Sequence, residues 1–128
     1  ALLSFSNFGN PIRPSSKNIR EAVNILIDRK VGFEFDGEMT AEVALDYDLI
    51  KEKYPFCRLS DSANVLIMPG LLSANISFKL LQSLGGGSVL GPLMIGGEKP
   101  FQIVQMGSSV PDIVNSASIA AYNSIYSK

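Results

Sequence analysis

The residues best suited to chemistry in this sequence lie in a loop before its last predicted helix, at residues 102–115 (QIVQMGSSVPDIVN). A short β-like run ends at Gly107, and Ser108, Ser109, a proline and Asp112 follow before an apolar helical pattern. Backbone N–H groups at the start of a helix bind anions, because the helix dipole favours negative charge there. The loop contains no Lys, Arg or His, so we expect it to hold an anion through neutral donors.

A second polar loop follows the first predicted strand and contains Ser4, Ser6 and Asn7 (LSFSNFGN). In open α/β sheets, ligands bind in the crevice at the carboxyl ends of the strands. We therefore expect this loop and the loop at residues 106–112 to line one shared pocket.

Four carboxylates are clustered in the segment FEFDGEMTAEVALD, namely Asp36, Glu38, Glu42 and Asp46. Such a cluster could bind a divalent ion or act as a general acid and base. The simpler interpretation, which we favour, is a turn (DGEM) followed by a solvent-exposed helix face, with Asp36 and Glu38 near the helix start.

Two single residues also invite a chemical role. Lys53 precedes Tyr54-Pro55 at a predicted helix end, where the helix dipole stabilises a cation, and phosphate binding is the alternative role. Cys57 is interpreted as a small buried residue, because the sequence offers no obvious partner that would activate its thiol.

The glycine-rich stretch LGGGSVLG is interpreted as a structural turn. A dinucleotide-binding fingerprint would need Gly at positions 85, 87 and 90, and position 90 is Leu. The stretch also follows a predicted helix, whereas the fingerprint precedes one, so Gly85, Gly86 and Gly87 are expected to end that helix.

The composition excludes several classes of protein. A net charge of −1 gives no electrostatic reason to expect nucleic acid or an anionic membrane as a partner. No apolar run approaches the roughly 20 residues that a membrane-spanning helix needs. The sequence has no His, which removes His-based catalysis and the commonest metal ligand, so no metal site is predicted. A single Cys fits a reducing, cytoplasmic compartment.

The elements that must position these residues follow from the apolar patterns. Helices are predicted at residues 18–29, 40–53, 71–84 and 111–126, with an Asn18/Glu21 capping box and with Ser108 or Ser109 capping the last helix. Strands are predicted at residues 1–5, 31–35, 64–68, 89–95 and 101–105, and the continuous apolar run NVLIM suggests burial on both faces. Alternating strands and helices predict an α/β fold, a three-layer α/β/α sandwich with a mostly parallel sheet.

Several segments taken together resemble one family. In order they are LLSFSNFG, REAVNIL, DGEMTAEVALD, ANVLIMPGLLSANISFKLLQSLGGGSVLGPLMIGGEKP and GSSVPDIVN, and they are similar to the C-terminal half of the phosphate acetyltransferase family. The resemblance implies an isopropylmalate dehydrogenase-like fold of two lobes, dimerisation, and transfer of acetyl between phosphate and coenzyme A. It also implies that residues 1–104 belong to the second lobe, while residues 105–128 return with the C-terminal helix to the other lobe.

The departures from that family are as informative as the matches. Active members carry Ser-Arg-Gly before the final helix, where this sequence has Gln105-Met106-Gly107, and a Lys in the first loop, where this sequence has Phe8. The family's Asp is retained as Asp112. By the same resemblance, Lys53 and Ile119 match positions near the coenzyme.

The variants SNFG and QMGSSVPDIVN resemble one branch of the family, the transferase-like domain that follows an NADP-dependent malic enzyme in bacteria. The resemblance implies a parent enzyme that converts malate to pyruvate with NADP and Mg or Mn, none of which this part would bind. The sequence starts without Met in an apolar run, so we expect a fragment whose N-terminal malic enzyme domains are absent.

On this reading the chain is transferase-inactive, has no catalytic residue, binds acetyl-CoA as an effector and forms homo-oligomers. The expected effector-binding residues are Ser4, Ser6, Asn7, Lys53, Met106, Gly107, Ser108, Ser109, Asp112 and Ile119. The alternatives are an active phosphate acetyltransferase and a purely structural module that holds oligomers together.

Overall fold

The computed structural model describes residues 1–85 and 88–126, and it has an α/β fold with a small parallel sheet and several helices. The chain forms two compact units, one spanning Ala1–Phe78 and the other beginning at Lys79. No helix in the described ranges is both long and apolar enough to cross a bilayer.

The sheet of the first unit is built around β1 (Leu2–Leu3). It pairs in parallel with β2 (Gly37–Met39), and Leu2 also forms a parallel bridge with Ile67. The N–H groups of Leu2 and Ser4 donate to the β2 side, whereas that of Leu3 donates to Ile67, so β1 lies between its two neighbours. The strand predicted at residues 1–5 is therefore present but shorter.

Helix α1 (Lys17–Arg29) packs on this sheet, and its buried Ile19 and Val23 contact Leu2. The helix is confirmed, but the predicted capping box is wrong. A 3-10 turn (Pro14–Ser16) leads into the helix, so Ser16 occupies the N-cap without a side-chain cap bond, and Asn18 lies inside the helix. Lys30, with a φ of 49°, ends the helix in the left-handed conformation.

The prediction of the second strand at residues 31–35 is wrong. Residues 31–35 are irregular, Phe33 is 63% exposed, and the predicted turn DGEM contains β2 itself. Glu38 and Met39 on β2 are both fully buried. Burial of Glu38 depends on polar partners far away in the sequence, which a local pattern does not reveal.

The helix predicted at residues 40–53 is divided into α2 (Ala41–Leu45) and α3 (Tyr47–Lys53). Asp46 has extended backbone angles, and its Oδ1 accepts a hydrogen bond from the Leu49 N–H at 3.0 Å. It therefore ends one helix and caps the next, because a capping Asp competes with the helical backbone for local N–H groups.

The core of the first unit lies between the sheet and the helices α2 and α3. Val43, Ala44 and Ile50 face inward in its main cluster, and Tyr47 is half-buried against it. The cluster consists of Leu3, Met39, Val43, Ala44, Ile50 and Leu59.

The apolar run at residues 64–68 forms only the bridge at Ile67, and it is not buried on both faces. Val65 is 59% exposed and Ile67 50% exposed, and they line an apolar groove of about 930 Å³ together with Ile25 and Phe33. This side of the sheet edge is therefore not covered by other described residues of the first unit.

Helix α4 (Leu71–Leu84) is present as predicted, and Gly85 follows its last residue. Gly86 and Gly87, the rest of the predicted helix stop, lie outside the described residues. Helix α5 (Val110–Tyr126) also matches its prediction to within one residue.

The strands predicted at residues 89–95 and 101–105 are wrong, because residues 88–109 contain no strand. The two segments are joined by the Gln102 side chain, which accepts from the Met94 N–H at 2.9 Å and donates to its carbonyl at 3.2 Å. The Gln102 side chain therefore makes hydrogen bonds between these two segments, where neighbouring strands would use backbone groups.

Candidate functional site

The loop that follows β1 is a tight turn at residues 7–10. Asn7 and Asn10 exchange backbone hydrogen bonds of 3.0 and 2.9 Å. Between them, Phe8 and Gly9 both have positive φ angles, 49° and 86°. A left-handed Phe is uncommon, so surrounding contacts must hold the residue in place.

The buried Glu38 carboxylate lies under this loop. Its Oε1 accepts hydrogen bonds from the Ser6 hydroxyl at 2.6 Å and from the Gly9 N–H at 3.3 Å. The Arg20 guanidinium donates to both carboxylate oxygens, at 3.1 and 3.2 Å. Ser6 is 1% exposed, so its hydroxyl serves this contact inside the protein.

The Asn7 side chain has a similar internal role. Its Oδ1 accepts a hydrogen bond from the Thr40 N–H at 2.7 Å, at the N-cap of α2. The acceptor oxygen of Asn7 therefore ties the loop to the helix start, while Ser4 donates its N–H to the Met39 carbonyl at 2.8 Å.

The Phe8 side chain packs against two rings at the end of α3. Its ring centroid lies 5.1 Å from that of Tyr54 and 5.0 Å from that of Phe56. Position 8 thus supplies a ring to an aromatic cluster, and this packing holds the left-handed residue in place.

The end of α3 lies beside the loop through this aromatic cluster. Lys53, the last residue of α3, is exposed and pairs with the neighbouring Glu52. Cys57 is half-buried, and burial raises the pKa of its thiol, which agrees with the structural role predicted for it.

The predicted carboxylate cluster does not form a single exposed face. Glu42 and Asp46 are exposed as expected, but Asp36 and Glu38 are buried. Asp36 accepts hydrogen bonds from the Gly37 N–H at 2.9 Å and the Arg58 N–H at 2.8 Å, so it links two backbone segments. Among the described residues, no group of three or more Cys, Asp or Glu side chains is arranged to hold a metal ion.

The loop before α5 lies in the second unit and carries the capping arrangement predicted for it. The Asp112 carboxylate accepts from the Ser109 hydroxyl at 2.7 Å and from its N–H at 3.1 Å, while the Ser109 hydroxyl accepts from the Asp112 N–H at 3.4 Å. The two bonds that Ser109 donates to the carboxylate lower the pKa of the Asp112 carboxyl. Ser109, and not Ser108, is therefore the cap.

Residues 105–107 of this loop are exposed, and Ser108 is half-buried. Gly107 has a φ of 86°, the Ser108 N–H donates to the Gln105 carbonyl at 3.0 Å, and the Met106 side chain is fully exposed. A groove of about 190 Å³ runs past residues 105–108 and Asp112, between α5 and the irregular segments. Ile119 is half-buried further along α5.

The structure thus groups the predicted site residues into two sets. Ser4, Ser6 and Asn7 lie together in the first unit, with Lys53 on the neighbouring α3, and Met106 to Ser109 lie with Asp112 in the second unit. That the two sets line one pocket stays a prediction.

The partners that shape the first loop do not follow from local sequence patterns. These patterns give Arg20 no chemical role, and they predict a solvent-exposed segment at Glu38. The one local signal was the spacing of four between Ser16 and Arg20, which brings the Ser16 hydroxyl within 2.9 Å of the Arg20 guanidinium.

Comparisons with known proteins agree on one family. The family described as phosphate acetyl/butaryl transferase matches residues 1–121. The NADP-dependent malic enzyme of Rhizobium meliloti (strain 1021) is 54% identical over 96% of this chain, which spans 16% of that protein. The phosphate acetyltransferase of Paracoccus denitrificans is 39% identical over 94% of this chain, which spans 38% of it.

A solved structure gives the same result. The EutD phosphotransacetylase from Staphylococcus aureus superposes with a TM-score of 0.80 at 30% sequence identity. The match covers 93% of this chain and 38% of that one, so the chain corresponds to a minor part of each relative.

Proposed function

Because this chain belongs to the phosphate acetyl/butaryl transferase family, we propose that it is a regulatory, transferase-inactive domain of an NADP-dependent malic enzyme. It binds acetyl-CoA as an allosteric effector and supports oligomerisation. The observation that carries the proposal is the 54% identity to a malic enzyme over 96% of the chain, against 39% to a phosphate acetyltransferase.

The lost cations support inactivity in acetyl transfer. An acetyl-phosphate dianion needs fixed positive groups for binding and for the charge that shifts during transfer. The ring of Phe8 is committed to an aromatic cluster, and Met106 presents an apolar side chain to solvent. Removing one electrostatic donor from such a site costs on the order of 3–4 kcal/mol of transition-state stabilisation.

The groups left for an effector are neutral donors and one exposed amine. The loop before α5 offers the Gly107 N–H and the Ser108 hydroxyl, since the N–H groups of Ser108 and Ser109 already donate to Gln105 and Asp112. Lys53 on α3 offers its ammonium group. Such donors suit the phosphates of a coenzyme, which can be held without being activated. Ile119 adds an apolar contact on α5.

The parent protein supplies the oxidoreductase chemistry. It decarboxylates malate to pyruvate with NADP and with Mg or Mn, bound by domains on the N-terminal side of this sequence. We assign no residue of this sequence to the nucleotide or the metal.

The proposal includes the architecture of the whole protein. There the small parallel sheet is part of a three-layer α/β/α sandwich of the isopropylmalate dehydrogenase-like kind, with residues 1–104 in one lobe and residues 105–128 returning to the other. The protein acts in the cytoplasm as a homo-oligomer, without nucleic acid or membrane as a partner.

The test uses the full polypeptide that carries this sequence. Calorimetry should show heat of binding with acetyl-CoA, malate turnover should change when acetyl-CoA is added, and a coupled assay with acetyl phosphate and coenzyme A should show no transfer. The absence of both heat and a thermal shift at millimolar acetyl-CoA would overturn the effector role.

An active phosphate acetyltransferase is the second candidate. The identity of 39% to the Paracoccus denitrificans enzyme and the retained Asp112 favour it. It predicts acetyl-phosphate formation from acetyl-CoA and inorganic phosphate at rates normal for transferases, which the coupled assay measures directly.

A structural module that holds oligomers together is the third candidate. The apolar side chains of α4 and α5 support it, since neither helix contains a buried residue. Deleting the domain would then change the assembly state, seen by light scattering, while malate turnover would show no acetyl-CoA response with or without the domain.

A further inference from the structure

Glu38 accepts hydrogen bonds from several residues of the first loop, and these bonds account for most of the loop's shape. Ser6 and Gly9 donate to the carboxylate, and the Phe8 N–H donates to the Glu38 backbone carbonyl at 2.7 Å. Three of the four residues at positions 6–9 are therefore held by a single, fully buried residue of β2.

The carboxylate is itself held by α1. The Nη1 atom of Arg20 contacts both oxygens of Glu38 and also the Ser16 hydroxyl, which donates in turn to the Arg13 carbonyl at 3.1 Å. Glu38 has no exposed surface, so an anionic ligand bound outside the loop cannot contact it.

A buried ion pair of this kind stabilises a protein weakly, because desolvation offsets most of its attraction. Its role is better explained by conformational specificity, which is the role argued for some buried polar groups. Here the buried pair specifies the conformation of the turn in which Phe8 and Gly9 have positive φ angles.

We propose that Glu38, oriented by Arg20, is a positioning residue that sets the loop at residues 6–9 in the conformation that binds a phosphate-bearing thioester. This inference rests on the proposed function, with acetyl-CoA as the ligand. Ser6 then acts through Glu38, because its hydroxyl is used inside the protein and does not reach the ligand.

The experiment compares variants of the full polypeptide in acetyl-CoA calorimetry and thermal unfolding. Glu38→Gln keeps the shape of the side chain and removes its charge. Glu42→Gln is the matched control, because Glu42 is an exposed carboxylate on the adjacent α2. Leu59→Ala controls for stability, since it opens the main core cluster without touching the loop's polar contacts.

The positioning role predicts that Glu38→Gln weakens acetyl-CoA binding about tenfold or more, whereas Leu59→Ala and Glu42→Gln bind as the wild type does, at a temperature where all are folded. Glu38→Gln should also speed hydrogen exchange of the Gly9 amide. Ser6→Ala should weaken binding in the same direction by a smaller factor.

Unchanged affinity in Glu38→Gln would overturn the inference and leave the proposed function standing. Equal losses in Glu38→Gln and Leu59→Ala would also overturn it, because they would show an effect of stability alone. If the wild-type protein binds no acetyl-CoA, the proposed function fails and this inference fails with it.

Discussion

At the scale of single residues, the two loops differ in how their side chains are used. Ser6 and Asn7 direct their oxygens inward, to Glu38 and to the Thr40 N–H, whereas Met106 is fully exposed. The first loop is therefore shaped by internal bonds, and the second has a position at which a side chain can be changed without disturbing the fold.

Restoring a guanidinium at that position tests the missing-cation argument. Met106→Arg should strengthen acetyl-phosphate binding to the full polypeptide about tenfold, because a guanidinium can pair with two phosphate oxygens at once. Met106→Gln is the control for a polar side chain without charge. Equal affinities in calorimetry for both variants and the wild type would show that acetyl phosphate does not bind beside position 106.

The cap of α5 gives a second prediction at this scale. Ser109→Ala should lower the free energy of unfolding by about 0.5–2 kcal/mol, because it removes the hydroxyl that bonds to Asp112. Ser108→Ala, next in sequence and without a cap bond among the described residues, should change it little. Urea unfolding of the two variants would contradict the assignment if the losses were reversed.

The same cap should make the stability of the protein depend on pH. The pKa of Asp112 is lowered in the folded protein, so its contribution to stability is present above the pKa of the unfolded chain and is lost as pH falls below about 4. The difference in unfolding midpoint between wild type and Ser109→Ala should therefore narrow in acid, and a difference that is constant from pH 7 to acid would contradict it.

At the scale of elements, the contact between β1 and β2 depends on a glycine. A Cβ at Gly37 would lie 2.6 Å from the Leu2 carbonyl oxygen and 2.9 Å from the Leu2 Cβ. The two strands can approach this closely only because position 37 has no side chain.

Gly37→Ala should therefore destabilise the first unit by about 1–3 kcal/mol or more, since backbone atoms of β1 would have to move. Gly32→Ala is the matched control, because nothing lies within 4 Å of a Cβ placed there. Denaturant unfolding with similar midpoints for both variants would show that the strand pair shifts at little cost.

The sequence predicts those elements whose pattern is local and long. Helices α1, α4 and α5 agree with their apolar spacing to within one residue at each end. The break at Asp46 was missed because Asp in a helical pattern fits either an exposed face or a cap, and only the geometry at Leu49 separates the two.

The strands and the first loop were harder to predict because their determinants are distant. Glu38 is buried in β2 only because Ser6, Gly9 and Arg20 meet it, from positions 18 to 32 residues away. Residues 31–35 alternate like a strand but have no ladder partner in the described structure. The loops with Ser4, Ser6 and Asn7 and with residues 106–112 could be predicted from their places at strand ends and a helix start, whereas Ile119 came from the family resemblance. Their polar partners had only the Ser16–Arg20 spacing as a local signal.

At the scale of the whole molecule, the two units differ in burial. The buried residues of the described chain all lie in the first unit, and α4 and α5 contain none. Local stability follows buried apolar contacts, so the second unit should open more readily than the first.

Hydrogen exchange on the 128-residue chain can measure this difference. Amides in the middle of α5 should exchange about tenfold faster or more than those in the middle of α1, because Ile19 and Val23 anchor α1 on the sheet. In the full polypeptide, the proposed lobe would cover α5 and the difference should shrink. Equal protection in the isolated chain would contradict the argument.

The half-buried thiol beside the aromatic cluster has a practical consequence. Its raised pKa keeps Cys57 protonated at neutral pH, so a maleimide should label it slowly while its surroundings are intact. The sequence holds no other cysteine, which makes the modification site unambiguous. The rate of maleimide labelling can therefore report how often α3 and the turn that carries Phe8 separate.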